Sequence, residues 1–130
     1  MDAMLEPALE AVVADVRATG APEPRVEPSQ WTGDPALPAA MLWSPDGSGV
    51  GIFVRAGDSP AARVAHAAEQ VQEWVLEERP PGAPGWPPCP VHDADHALSA
   101  AVVDSTAQWV CASDRVVVAP IGALGAPDGG

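Results

Sequence analysis

The chain contains no lysine, no tyrosine and no asparagine, only one phenylalanine and only two cysteines. Its positive charge is confined to six arginines, set against 18 acidic residues, for a formal net charge of −12. That balance argues against direct nucleic-acid binding, which draws its affinity from a basic stripe that displaces counterions. Anionic membrane surfaces are disfavoured for the same reason. A macromolecular partner is therefore expected to be a protein with a basic surface. No apolar run approaches the roughly 20 residues that span a bilayer. The longest, Val116 to Ala126, is broken by Pro120, Gly122 and Gly125. The opening Met1-Asp2-Ala-Met-Leu-Glu6 lacks the basic and apolar regions of a secretory signal, so the expected compartment is cytoplasmic. There, two cysteines read as reduced thiols or metal ligands before a disulfide.

Catalytic signatures are also missing. The chain has no His-Glu-x-x-His, no Gly-x-Ser-x-Gly elbow and no His-x-Glu to accompany a Pro-Cys-x-x-Cys. The expectation is a protein that is not an enzyme.

What is present is 47% hydrophobic residues with 16 prolines and 12 glycines, the composition of a folded centre with stiff joints. At 130 residues it fits one modest core. Leu5, Leu9, Val12 and Val16 recur at helical spacing, with Val13 widening the stripe. This predicts an N-terminal helix within residues 1–20, starting near Glu6 and stopped by Gly20. Residues 21–38 hold Pro22, Pro24, Pro28, Pro35 and Pro38 and read as an extended linker, with Trp31 as its apolar anchor. A domain is expected over 39–122, followed by a flexible tail, 123–130.

Within that domain, Ala39–Trp43 and Val50–Arg55 flank the turn chemistry of Pro45-Asp46-Gly47 and predict a hairpin. Gly47-Ser-Gly-Val-Gly51 opens a strand and not a helix, so it reads as a turn and not a phosphate cradle. Ser59-Pro60 caps a long helix to Glu78, whose stripe is Val64, Ala68, Val71 and Val75. His66, Gln70, Glu73 and Glu77 form its solvated face, with Glu69 and Glu78 completing an acidic ridge. Leu98–Asp104 and Ala107–Cys111 predict a second hairpin, and Arg115–Ala119 a further strand. The fold class is α+β: a small antiparallel sheet from two hairpins packed on one long helix, with an additional N-terminal helix.

The chemistry concentrates in residues 86–111. Cys89-x2-His92 has the spacing of a knuckle turn fixed by Pro90, His92-x3-His96 that of paired histidine ligands, and Cys111 ends a strand that can return alongside. Two thiolates and two imidazoles are the set borderline-soft Zn²⁺ prefers, so Cys89, His92, His96 and Cys111 are the candidate ligands of a structural zinc. Against this stand two buried thiols without metal, a disulfide or redox pair, and a catalytic metal with Asp93 or Asp95 as base. The segment is similar to zinc-ribbon and zinc-knuckle modules. It also resembles small actinobacterial proteins with Cys-Pro-x-His, His-x-Leu and Trp-x-Cys, here Cys89, Pro90, His92, His96, Leu98, Trp109 and Cys111. Ribbon modules close with a second Cys-x2-Cys, where this chain has Cys111-Ala-Ser-Asp114, so the resemblance leaves His96 and Asp114 both open as fourth ligand.

The functional expectation is a small acidic interaction or regulatory protein with a structural zinc. The alternatives are an inhibitor or immunity-type protein masking a basic surface, and a metal-dependent hydrolase or thiol redox sensor.

Overall fold

The structure is a computed structural model and describes residues 1–92 and 96–125. The elements run α1 (Glu6–Thr19), β1 (Arg25–Ser29), β2 (Ala39–Trp43), β3 (Gly49–Phe53), α2 (Pro60–Glu78), a 3₁₀ turn (Pro90–His92), β4 (Ser99–Val103), β5 (Thr106–Cys111) and β6 (Val116–Pro120). The α+β class and the helix-on-sheet packing are as expected. The strands differ in arrangement: they form two separate three-stranded antiparallel sheets, β1-β2-β3 and β4-β5-β6, rather than one sheet from two hairpins.

Helix α2 is the element to which the others attach. The Ser59 side chain accepts from the Ala62 backbone N–H, and Pro60 occupies the first helical turn, where a missing N–H costs nothing. Ala65, Ala67, Ala68, Val71, Trp74 and Val75 are buried, while the expected stripe residue Val64 is only half-buried. The helix packs against α1 and reaches β3, β4 and β5. Each large aliphatic or aromatic side chain fully withdrawn from water contributes about 1.5–3 kcal/mol, so Val71, Trp74 and Val75 give this face most of its hold. The solvated face is narrower than expected. Gln70 donates to the Phe53 carbonyl at 2.7 Å and accepts from its N–H at 3.1 Å, satisfying one residue of the free β3 edge. His66 lies edge-on to the Phe53 ring at 5.1 Å.

Helix α1 joins the same core, with Leu5, Ala8, Leu9, Val12 and Val16 in one cluster with α2 and both sheets. Gly20 adopts φ 72°, and its N–H and that of Ala21 turn back to the Arg17 and Val16 carbonyls, the left-handed stop the sequence predicts.

The proline-rich linker requires a correction. Its residues Arg25–Ser29 form strand β1, paired with β2 from Arg25↔Trp43 to Ser29↔Ala39. β1 is an edge strand, and an edge tolerates Pro28 because one side of its ladder has no partner to donate to. Trp31 does anchor the following turn: its indole N–H donates to the Ile52 carbonyl at 3.1 Å. Its ring occupies the space over Gly51, where an added Cβ would sit 2.7 Å from it.

The expected flexible tail, 123–130, is fastened to the domain where it begins. Ile121 is buried, Leu124 packs against the core, and the Gly122 and Leu124 N–H groups are bound by Asp15. The remainder of that tail, residues 126–130, lies outside the described residues.

Candidate metal centre

Three pieces of chain supply the four predicted side chains. Cys89 precedes the 3₁₀ turn that carries His92 at its end. His96 is brought back against Cys89 by backbone pairing: the Cys89 N–H donates to the His96 carbonyl at 3.0 Å, and the Leu98 N–H to the Pro87 carbonyl at 2.8 Å. Cys111 arrives on β5, where Ala107, Trp109 and Cys111 alternate inward, as strand periodicity requires. Strand pairing and a tight turn therefore fix all four positions through the backbone.

One ligand atom from each of Cys89, His92, His96 and Cys111 lies within 4.8 Å of all the others, close enough to hold a metal ion. His92 Nδ1 is 3.6 Å from the Cys89 sulfur, 3.5 Å from the Cys111 sulfur and 2.9 Å from His96 Nε2. The Cys111 sulfur is 3.8 Å from His96 Nε2. Both cysteines are free thiols and fully buried, and the two imidazoles are partly exposed. Two soft sulfurs and two imidazole nitrogens converging on one point fit a tetrahedral cation without rearranging the backbone.

Asp114 stands outside this group. Its carboxylate Oδ2 lies 3.0 Å from His92 Nε2, the ring nitrogen facing away from the thiols. Asp93 and Asp95, the residues considered as a general base, lie outside the described residues. His66 is remote from the cluster, against Phe53.

The electrostatics favour ionised sulfur. Burial by itself would raise the Cys89 thiol, but hydrogen bonds from His92, from the Val91 and His92 backbone amides and from Cys111 outweigh it, and its pKa falls below the ordinary thiol value. His92 shifts the other way: its hydrogen bond with Cys89 raises its pKa against the opposing effect of burial, with the Asp114 charge adding to the rise.

Several residues that frame this site carry no obvious sequence signal. Gln72, on α2, donates to the Trp86 carbonyl at 2.8 Å and the Leu98 carbonyl at 2.7 Å, clasping the segments on either side of the knuckle. Trp86 and Trp109 meet edge-to-face at 5.8 Å behind the thiols. The Trp86 indole donates to Thr19 Oγ1 at 2.9 Å and the Trp109 indole to Asp15 Oδ2 at 2.8 Å. Asp15 is the one buried charged side chain among the described residues. One signal was available for it: a carboxylate sitting inside the Val12–Val16 stripe of α1 faces the core and requires donors there. Gly85 also has a local role, since a Cβ there would come within 2.6 Å of the Ala97 backbone nitrogen.

No helix among the described residues is long and apolar enough to cross a membrane. No family model, no curated protein and no solved structure matches this chain.

Proposed function

We propose that this chain is a non-enzymatic acidic interaction or regulatory protein whose C-terminal half is held together by a structural zinc on Cys89, His92, His96 and Cys111. The single observation that carries the reading is the convergence of those four ligand atoms to within 4.8 Å of one another. A tetrahedron with Zn–S near 2.3 Å and Zn–N near 2.0–2.1 Å has sulfur–nitrogen edges of about 3.6 Å. The three sulfur–nitrogen separations here are 3.5, 3.6 and 3.8 Å. The nitrogen–nitrogen separation of 2.9 Å is a few tenths of an ångström below a tetrahedral edge and is a hydrogen-bond length. A small ring rotation separates the two arrangements. Four protein ligands fill the tetrahedron, leaving no open position for substrate or water, which favours a structural over a catalytic role.

The ion would supply cross-linking: two thiolates and two imidazoles from three chain segments joined at one point. Structural zinc contributes on the order of 10 kcal/mol of apparent binding energy in small domains. That suits a chain with so many prolines in its connectors.

The interaction role rests on charge and exposure. Glu69, Glu73 and Glu77 project from successive turns of α2 into solvent, and none of them has a cation within ion-pair distance among the described residues. A protein with a basic surface is the partner that would relieve their mutual repulsion.

Elemental analysis of untagged protein, paired with thermal melting in a strong chelator, tests the staple. One zinc per chain and a large chelator-induced loss of Tm are expected; metal-free protein with an unchanged melt would overturn it. For the partner, association rates should fall steeply as salt rises. A salt-independent rate removes the electrostatic reading.

A further inference from the structure

We propose that Asp114 is the positioning residue of the metal centre: it holds the His92 ring so that Nδ1, and not Nε2, is presented to the ion. The inference rests on the zinc reading above and extends it to a side chain that is not itself a ligand.

The geometry divides the two nitrogens of His92. Nδ1 faces both sulfurs and His96, at 3.5, 3.6 and 2.9 Å, while Nε2 faces the Asp114 carboxylate at 3.0 Å. An ionised carboxylate has only acceptors, so the Nε2 atom that meets it must carry a hydrogen. In neutral imidazole the proton on one nitrogen leaves the lone pair on the other. Asp114 therefore selects the tautomer whose lone pair points at the thiols. It also resists rotation of a ring that is one-third exposed. His96 offers Nε2 instead, so the two imidazoles present opposite ring nitrogens, and only His92 has a carboxylate behind it among the described residues.

The turn supplies the aim. Asp114 lies in the connection between β5 and β6, three residues past Cys111, and Arg115 turns the chain at φ 56° into β6. A ligand at the end of β5 and the group that orients its neighbour are thus three residues apart in one strand–turn segment. This separates the two candidates for fourth ligand: His96 stands within the cluster, and Asp114 stands behind His92. Asp114 is half exposed and supports nothing in the core, so its replacement tests positioning without opening the fold.

The test compares wild type with Asp114→Ala and Asp114→Glu. Zinc affinity is measured by competition with a chromophoric chelator, and the protonation of each His92 ring nitrogen by side-chain ¹⁵N NMR of the zinc-loaded proteins. Asp114→Ala should bind zinc about 10–100-fold more weakly. Asp114→Glu should recover part of that loss. Wild type should show metal-bound Nδ1 and protonated Nε2 at His92, a signature the alanine variant blurs. Equal affinities and an unchanged His92 signature would overturn this inference while leaving the zinc reading intact. No zinc uptake by wild type would overturn both.

Discussion

The indole N–H of Trp109 donates to the Asp15 carboxylate at 2.8 Å, joining residues 94 positions apart. The same carboxylate accepts from the Gly122 N–H at 2.6 Å and the Leu124 N–H at 2.9 Å. Asp15 is fully buried with no cation within ion-pair distance among the described residues, so three donors replace the water it gave up. Through it, the N-terminal helix holds β5 two residues from Cys111 and also holds the segment that follows β6. The metal-candidate end of the molecule is thereby tied to a helix that the sequence alone sets apart from it.

Asp15→Ala should accordingly be among the most damaging single changes. It leaves the buried Trp109 indole N–H and the part-buried Gly122 and Leu124 amides without their acceptor; a buried unsatisfied donor costs about 1–3 kcal/mol and solvent can partly serve the other two, for a total loss of about 2–3 kcal/mol. Asp15→Asn, which keeps one acceptor oxygen, should lose less. Urea unfolding followed by tryptophan fluorescence measures both; equal stability of the alanine variant and wild type would refute the role.

Gly51→Ala should dislodge Trp31. The added Cβ would fall 2.7 Å from the indole, so the ring must leave its place and its hydrogen bond to Ile52. A loss of about 1–2 kcal/mol and a red-shifted Trp emission are expected. Gly57→Ala provides the control, because nothing lies within 4 Å of its Cβ position. It should change stability by less than about 1 kcal/mol in either direction.

Cys111→Ser should abolish the chelator sensitivity of the melt along with most zinc uptake. A serine hydroxyl is a poor substitute for thiolate at a soft site. Atomic absorption on the purified variant checks this, and retention of one full equivalent would exclude Cys111 as a ligand.

The contribution of His92 to the stability of the metal-free protein should fade as the medium turns alkaline, opposed by Cys89, whose lowered pKa gives a contribution that grows with pH. His92 has a raised pKa in the fold, chiefly through its bond with Cys89, so the folded chain holds that proton more tightly than the unfolded chain does. The stabilisation is full below the unfolded value of about 6.5 and fades as pH rises through the higher folded one. Melts of chelator-treated wild type and His92→Gln between pH 6 and pH 8.5 isolate this contribution: the stability advantage of wild type should shrink as pH rises, and a gap that stays constant would refute it. With zinc bound the dependence reverses, because protons compete with the ion for thiolate and imidazole at low pH.

Local chemistry made several features readable from the chain alone. The left-handed Gly20 stop, the Ser59-Pro60 start and the Pro45-Asp46-Gly47 turn each act within a few residues. The convergent quartet was legible for the same reason: Cys89, His92 and His96 share one turn and its return. Long-range pairing decided the rest. β1 is a strand only because β2 offers it a ladder, and its one proline, Pro28, is tolerated at an edge. Two sheets form in place of one, with α2 packed against strands of both. The Asp15, Gln72 and Asp114 side chains acquire their roles from partners 94, 14 and 22 residues away, distances over which sequence spacing carries no geometric information. Short-range sterics and hydrogen bonding are written in neighbouring residues, whereas the placement of a buried carboxylate against an indole exists only once the core has closed.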